Sequence, residues 1–363
     1  MFLLHEPWIV ASDVGEVVGE IVASHMNGTG TPVAGRSMSL TLSTVRRWLG
    51  RSGIGGQLLT LLIVAAIFAI GTRGKYLSWN NIEVILSLAG IPAILAIGLH
   101  QTIVLGGIDL SVEGVAALCI VFVGLLVRNS VNGNDVGLWI IPIVLIVGGL
   151  AGTVSGLVIT KLKIPSFIAT LGMSWTLFGL AVAINKAMTI PLLDNRIQSV
   201  VNGDLFGVPD IALIAFLLFI VIQIVQDRTR FGRYVYAIGG DELAAKQAGV
   251  KVDRIKILVF MIAGVFYGLA ALFLATRLGS ALPRTGSNNL FPTVTAVAVG
   301  GVALTGGIGG AKNAALGALI VTALADGLVL MNVSPYVQQA VNGIVLIGAV
   351  ALTIDRRKLG FIK

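Results

Sequence analysis

The side chains able to carry chemistry are few, and they are scattered through apolar sequence. The chain has three histidines, His5, His25 and His100, and a single cysteine, Cys119. Cys119 lies inside an apolar run, where a thiol is a small packing residue and not a nucleophile. Only His100 lies outside the first 37 residues, so no metal-ligand set and no acid–histidine pair is expected. Gly306–Asn313 approaches a phosphate-binding loop, but Ala311 replaces its second glycine and Asn313 its hydroxyl residue. No nucleotide site of the chain's own is therefore expected. What remains is a set of polar groups embedded in apolar stretches: His100, Gln101, Asp109, Asn185, Asp326 and Asn342. Neutral donors and acceptors in such places suit a polyhydroxylated solute that binds weakly and leaves. Interhelical hydrogen bonding explains any one of them equally well. Asp109 follows Gly106-Gly107, where a helix can break, and its carboxylate is placed to cap the next helix near Ser111. Gly306 and Gly307 mark a second expected break.

Composition says what must position these groups. Of 363 residues, 56% are hydrophobic and 12% charged, whereas a soluble domain carries roughly 25% charged residues. Ten intervals are free of Asp, Glu, Lys and Arg, from 52–72 to 327–354. Most are long enough for the ~20 residues that cross the hydrocarbon as a helix. The windows 114–127 and 313–325 are too short, so their helices must start near Asp109 or Glu113 and take in Asp326. The expected fold is an all-α polytopic membrane protein of about ten transmembrane helices. Leu105-Gly-Gly-Ile-Asp and Thr305-Gly-Gly-Ile-Gly, each preceded by an Asn-Asn pair, make an inverted five-plus-five repeat a candidate.

The formal charge of +8 could point to nucleic acid, but its distribution points to topology. With a cytoplasmic N-terminus, 18 of the 25 lysines and arginines fall on inside segments and 7 outside. That split follows the positive-inside rule and places both termini in the cytoplasm. Residues 1–56 are then a cytoplasmic tail, 57–355 the transmembrane domain, and 356–363 a second tail.

The one large inside loop, 227–256, is basic and encodes a short helix. Gly239-Gly240 is a turn signal, Asp241 an N-cap, Glu242–Ala248 a run of helix formers, and Gly249 a stop. Ala244 and Ala245 would let another protein approach closely. A short loop helix with paired alanines followed by glycine resembles the coupling helix of ABC importer permeases. Gly232-Arg-Tyr-Val-Tyr-Ala-Ile-Gly-Gly, Gly106-Gly-Ile-Asp-Leu-Ser-Val, Lys163-Ile-Pro-Ser-Phe-Ile-Ala-Thr-Leu-Gly-Met and Gly300-Gly-Val-Ala-Leu-Thr-Gly-Gly-Ile-Gly-Gly resemble the ribose-type permeases more specifically. The chain departs from the pattern at Leu243, where glutamate is usual, and at Glu113, where glycine is usual.

The resemblance implies a non-catalytic permease subunit of an ATP-driven importer in the bacterial inner membrane. It implies a second permease subunit, a solute-binding protein that delivers a monosaccharide, polyol or related solute, and no cofactor in this chain. ATP and magnesium would be bound by a partner ATPase docking at Arg233, Tyr236, Gly239, Gly240, Glu242, Ala244, Ala245 and Gly249. The competing reading is a gradient-driven transporter or channel, which needs titratable relays; only Asp109, Glu113 and Asp326 are available. A membrane enzyme would need paired acids or a nucleophile, and neither is visible.

Overall fold

The structure is a computed structural model that describes residues 54–353. Both tails read from the sequence lie outside the described residues, apart from residues 54–56, of which Gly55 and Gly56 already belong to the first helix. Helix α1 (Gly55–Gly71) leads through a short 3-10 turn to α2 (Trp79–Val104), whose N-cap Ser78 accepts from the Asn81 amide at 3.4 Å. There follow α3 (Val112–Leu126), α4 (Ile140–Lys161) and α5 (Ser166–Asn185). An outlying segment holds β1 (Ile190–Pro191), α6 (Asn195–Asn202), β2 (Asp204–Leu205) and β3 (Val208–Pro209). Then come α7 (Asp210–Arg228), α8 (Arg230–Gly240), α9 (Glu242–Gln247), α10 (Val252–Leu278), β4 (Ser280–Ala281), α11 (Leu290–Val299), α12 (Ala311–Leu330) and α13 (Pro335–Thr353).

Among the described residues, six helices, α2, α4, α5, α7, α10 and α12, are long and apolar enough to cross a membrane by length and composition. The short charge-free windows behave as length requires: α3 begins just before Glu113, and α12 takes in Asp326 and ends at Leu330. The window 285–311 differs. Its helix stops at Val299 after ten residues, and Gly300–Gly310 continues as non-helical backbone. Glycines at φ +85°, +86°, +75° and +107° (Gly301, Gly306, Gly307, Gly309) adopt conformations that no helix contains.

Helix α10 is the axis of the core, with Phe260 and Tyr267 almost fully buried, and its broadest packing partner is α4. In lipid there is little hydrophobic drive between helices, so close backbone approach must hold them. Gly148, Gly152 and Gly156 on α4, four residues apart, follow the α10 backbone: Gly148 lies against Gly264 and Gly268, Gly152 against Phe260 and Met261, and Gly156 against Ile257. A methyl on Gly148 would strike the Gly264 carbonyl, one on Gly264 the Gly148 carbonyl, and one on Gly152 the Phe260 carbonyl.

At the end of the bundle away from α8 and α9, loops are tied to each other. Strand β1 pairs antiparallel with β4, and Asn129 bridges Leu192. Arg196 donates to Asp194 at 2.7 Å and also pairs with Asp135 from the loop before α4. Hydrogen bonds from the Arg196 guanidinium hold the Asp194 carboxyl below the usual aspartate range, with burial opposing.

Packing and charge give three expected outcomes. Gly264→Leu should abolish recovery of folded protein, because overpacking costs ~1–3 kcal/mol even where side chains can yield, and here backbone faces backbone. Gly172→Ala, with open space around it, should leave thermal unfolding unchanged or raise its midpoint. Asp194→Asn should lower the unfolding midpoint at pH 7. A carboxyl whose value falls on folding contributes fully above its unfolded-state value of about 4, and that contribution is lost as pH falls through the lower folded-state value. The gap between variant and parent should therefore close in acid.

Candidate translocation and coupling sites

Two stretches of open backbone interrupt the bundle, and each is held by side chains spaced for the purpose. The first is Leu105–Ser111, between α2 and α3. Ser166, Thr170 and Ser174 stand four residues apart on one face of α5. Their hydroxyls accept from the amides of Ile108 (2.9 Å), Leu110 (2.9 Å) and Gly114 (3.2 Å). Asp109, 1% exposed, accepts from the Ser111 amide at 2.9 Å and its hydroxyl at 2.6 Å, while Tyr267 of α10 donates to its other oxygen at 3.1 Å. The aspartate thus ties the start of α3 to the axial helix.

The second stretch is Gly300–Gly310. The Gly300 carbonyl accepts from Asn313 at 2.8 Å and from Gln57 at 2.6 Å. Gln226, near the end of α7, accepts from the Ala311 amide at 2.9 Å, and Gln223 from Lys312 at 3.1 Å. These bonds satisfy orphan amides at the N-terminus of α12. Because the Gln226 oxygen is committed to Ala311, its nitrogen donates to His100 Nε2 at 2.6 Å.

Both breaks meet helix α8. The Gly307 amide donates to the Val104 carbonyl at 2.8 Å, joining the second break to the end of α2. Gly239 lies against that junction: a methyl there would overlap the Val104 carbonyl and the Gly307 amide. One on Gly306 would meet Gly239 and Gly106 backbone. Tyr236 donates to the Gly309 carbonyl at 2.6 Å, and burial pushes its phenol above the usual tyrosine value, keeping it a donor. The sequence expectation of a turn at Gly239-Gly240 is corrected here. Both close helix α8, and at Gly239 the absence of a side chain serves close approach, not a turn.

Past that contact, Asp241 caps α9 by accepting from the Ala244 amide at 2.9 Å, and Gly249 follows at φ +83°. Of the expected docking residues, Arg233, Glu242 and Ala244 are exposed and Ala245 is buried. Leu243 presents 66% of its surface. Lys256 pairs with Glu242 at 2.7 Å, pinning α9 to the start of α10. A cleft of about 490 Å³ lies beside it, lined by Gly106, Gly107, Lys163, Ser166, Glu242 and Lys246.

The six polar positions expected along a solute path are dispersed. His100 belongs to the Gln226 network, and Gln101 is buried with its amide nitrogen unpartnered. Asn185 closes the end of α5 by donating to the Met188 carbonyl. Asp326 accepts from Asn81 at 2.9 Å, and Asn342 is half-buried on α13. None of them lines the cavity of about 380 Å³ that opens between the start of α3, α5 and the segment before α11. The residues that sequence reasoning missed are the α5 hydroxyls, Gln223, Gln226, Tyr267 and the walls of this cavity. The four-residue spacing of Ser166, Thr170 and Ser174 was the available signal.

Thr170→Val should lower thermal stability by about 1–3 kcal/mol, the penalty for leaving the Leu110 amide without its acceptor. Thr176→Val, whose exposed hydroxyl bonds only the Gly172 carbonyl of its own helix at 2.8 Å, should leave it within ~0.5 kcal/mol. Thermal unfolding of the detergent-purified proteins measures both.

Comparison with known proteins places this architecture. The family described as "Branched-chain amino acid transport system / permease component" matches residues 81–350. The chain is 34% identical to the ribose import permease protein RbsC of Haemophilus influenzae, over 80% of this chain and 90% of the relative. It is 36% identical to RbsC of Bacillus subtilis, over 84% and 92%. It is 31% identical to the galactose/methyl galactoside import permease protein MglC of Escherichia coli, over 82% and 93%. No solved structure matches. Apolar spanning helices, two supported breaks and these likenesses converge, and the chain belongs to the branched-chain amino acid transport system / permease component family, as a multi-pass membrane subunit.

Proposed function

We propose that the chain is the membrane-spanning subunit of an ATP-driven importer for a monosaccharide or a related small polyol. The relatives named for ribose and galactose import support the solute class. It pairs with a second permease subunit, identical or homologous, and receives solute from a binding protein at the end carrying the β1–β4 pair. It holds no cofactor and catalyses no reaction; ATP and magnesium belong to two ATPase subunits docked at α8 and α9. Counting α1, α3, α13 and α11 with its following loop beside the six long helices gives ten crossings. A short helix, α3 or α11, is third in each set of five, which supports the inverted repeat. The sorting of lysine and arginine, 18 against 7, supports cytoplasmic termini and a cytoplasmic α8–α9.

The observation that carries the coupling reading is Gly239 lodged against Val104 and Gly307. A rigid displacement of α8 by an ATPase cannot leave the two breaks where they are, since backbone bears directly on backbone. ATPase closure would thus move both breaks together and open the path outward, and hydrolysis would reverse the motion.

Leu243→Arg tests this reading. The residue is exposed, so the permease should fold and reach the membrane as the parent does. Co-purification of the ATPase should fall at least tenfold and uptake should fall with it. Undiminished co-purification would place the docking surface elsewhere.

A further inference from the structure

The cavity beside the start of α3 contains groups that no expected solute path used. Glu113 stands in the first turn of α3 and accepts from the Leu290 amide at 3.2 Å through one oxygen, leaving the other for a ligand. Across the cavity are Arg284 and Asn288, from the segment before α11. Glu113 and Arg284 form no ion pair with each other or with any other described residue. Trp175, 71% exposed, and Phe178 supply an aromatic wall from α5, next to Ser174. A carboxylate that accepts, a guanidinium that donates and an aromatic face suit a neutral ring bearing several hydroxyls. Each hydroxyl can then both give and take a hydrogen bond, while ring C–H groups cover the aromatic surface. A volume of about 380 Å³ falls within the range of small-molecule sites, ~300–1,000 Å³.

The cavity is also connected to the coupling end. Leu110, in its wall, is held by Thr170, and the same seven-residue break begins at Leu105–Gly106, against α8. A solute in the cavity therefore touches the element that α8 would move.

We propose that this cavity is the stopping point for solute within the membrane and that Glu113 is its specificity-determining residue, accepting hydroxyl hydrogen bonds from a neutral polyhydroxylated ring and excluding anions. This deepens the importer reading and rests on it for the solute class, but it can be tested without ATP. Ser287, in the cavity wall, is replaced by cysteine, and labelling by a hydrophilic thiol reagent is followed in membranes with D-ribose, D-galactose, L-leucine or D-gluconate added. Buried Cys119 should stay unlabelled. One of the two sugars should slow labelling at least threefold, while leucine and gluconate should not. Adding Glu113→Gln, which keeps an oxygen for the Leu290 amide, should abolish that protection or extend it to gluconate. Protection by neither sugar, protection by leucine instead, or an unchanged pattern with Glu113→Gln would each overturn the proposal. ATP-driven sugar uptake by the assembled transporter separates the two readings. Uptake without protection sinks the cavity and keeps the importer; protection without ATP dependence does the reverse.

Discussion

Backbone amides at membrane depth must find partners inside the protein, because lipid offers none. Everything distinctive in this chain answers to that constraint at two places, Leu105–Ser111 and Gly300–Gly310. In the first, α5 lends hydroxyls at helical spacing to the Ile108 and Leu110 amides of the open segment and to Gly114 in the first turn of α3. In the second, amide side chains do the same work: Asn313 and Gln57 on the Gly300 carbonyl, Gln226 and Gln223 on the first amides of α12. The polar residues that hold these two breaks have positions that follow from where the helices stop.

Glycine serves two opposite ends. Between α4 and α10 it locks two long helices by mutual contact of Gly148 and Gly264, surrounded by further glycine contacts along the same seam. Such a seam has one good register and resists sliding. Around Gly239, Gly306 and Gly307 it also brings backbones together, but at helix ends and in open segments with positive φ. There the neighbours can rotate without breaking a helical ladder. One fold therefore holds a helix-to-helix seam beside a junction of helix ends and open backbone.

Much of this was legible in the sequence, and the reason differs by residue. The Asp241 cap, the Gly249 stop and the reach of α12 past Asp326 are local matters of chain length and capping, so a reading of neighbours in sequence sufficed. The breaks at Gly106-Gly107 and Gly306-Gly307 were equally visible, since Gly106, Gly306 and Gly307 take positive φ values that side chains disfavour. Gly239-Gly240 was misread because a glycine pair signals a turn by itself, whereas its meaning here comes from Val104 and Gly307, far away in the chain. The wall of the cavity was invisible for the same reason: Glu113, Trp175 and Arg284 come from three separate segments. Asp109 was readable as a cap near Ser111 and His100 as a polar group inside the bundle, but their partners Tyr267 and Gln226 come from distant segments and were not readable.

The bond from the Gly307 amide to the Val104 carbonyl has an energetic consequence. It is one backbone hydrogen bond, 2.8 Å long, with a net worth of about 1 kcal/mol. Parting it at membrane depth would leave a buried amide unsatisfied, a penalty of about 1–3 kcal/mol. The junction is therefore kept closed both by the backbone fit at Gly239 and by the unpaired groups that opening would leave. Any displacement of α8 must therefore find new partners for this amide and carbonyl as the two breaks part.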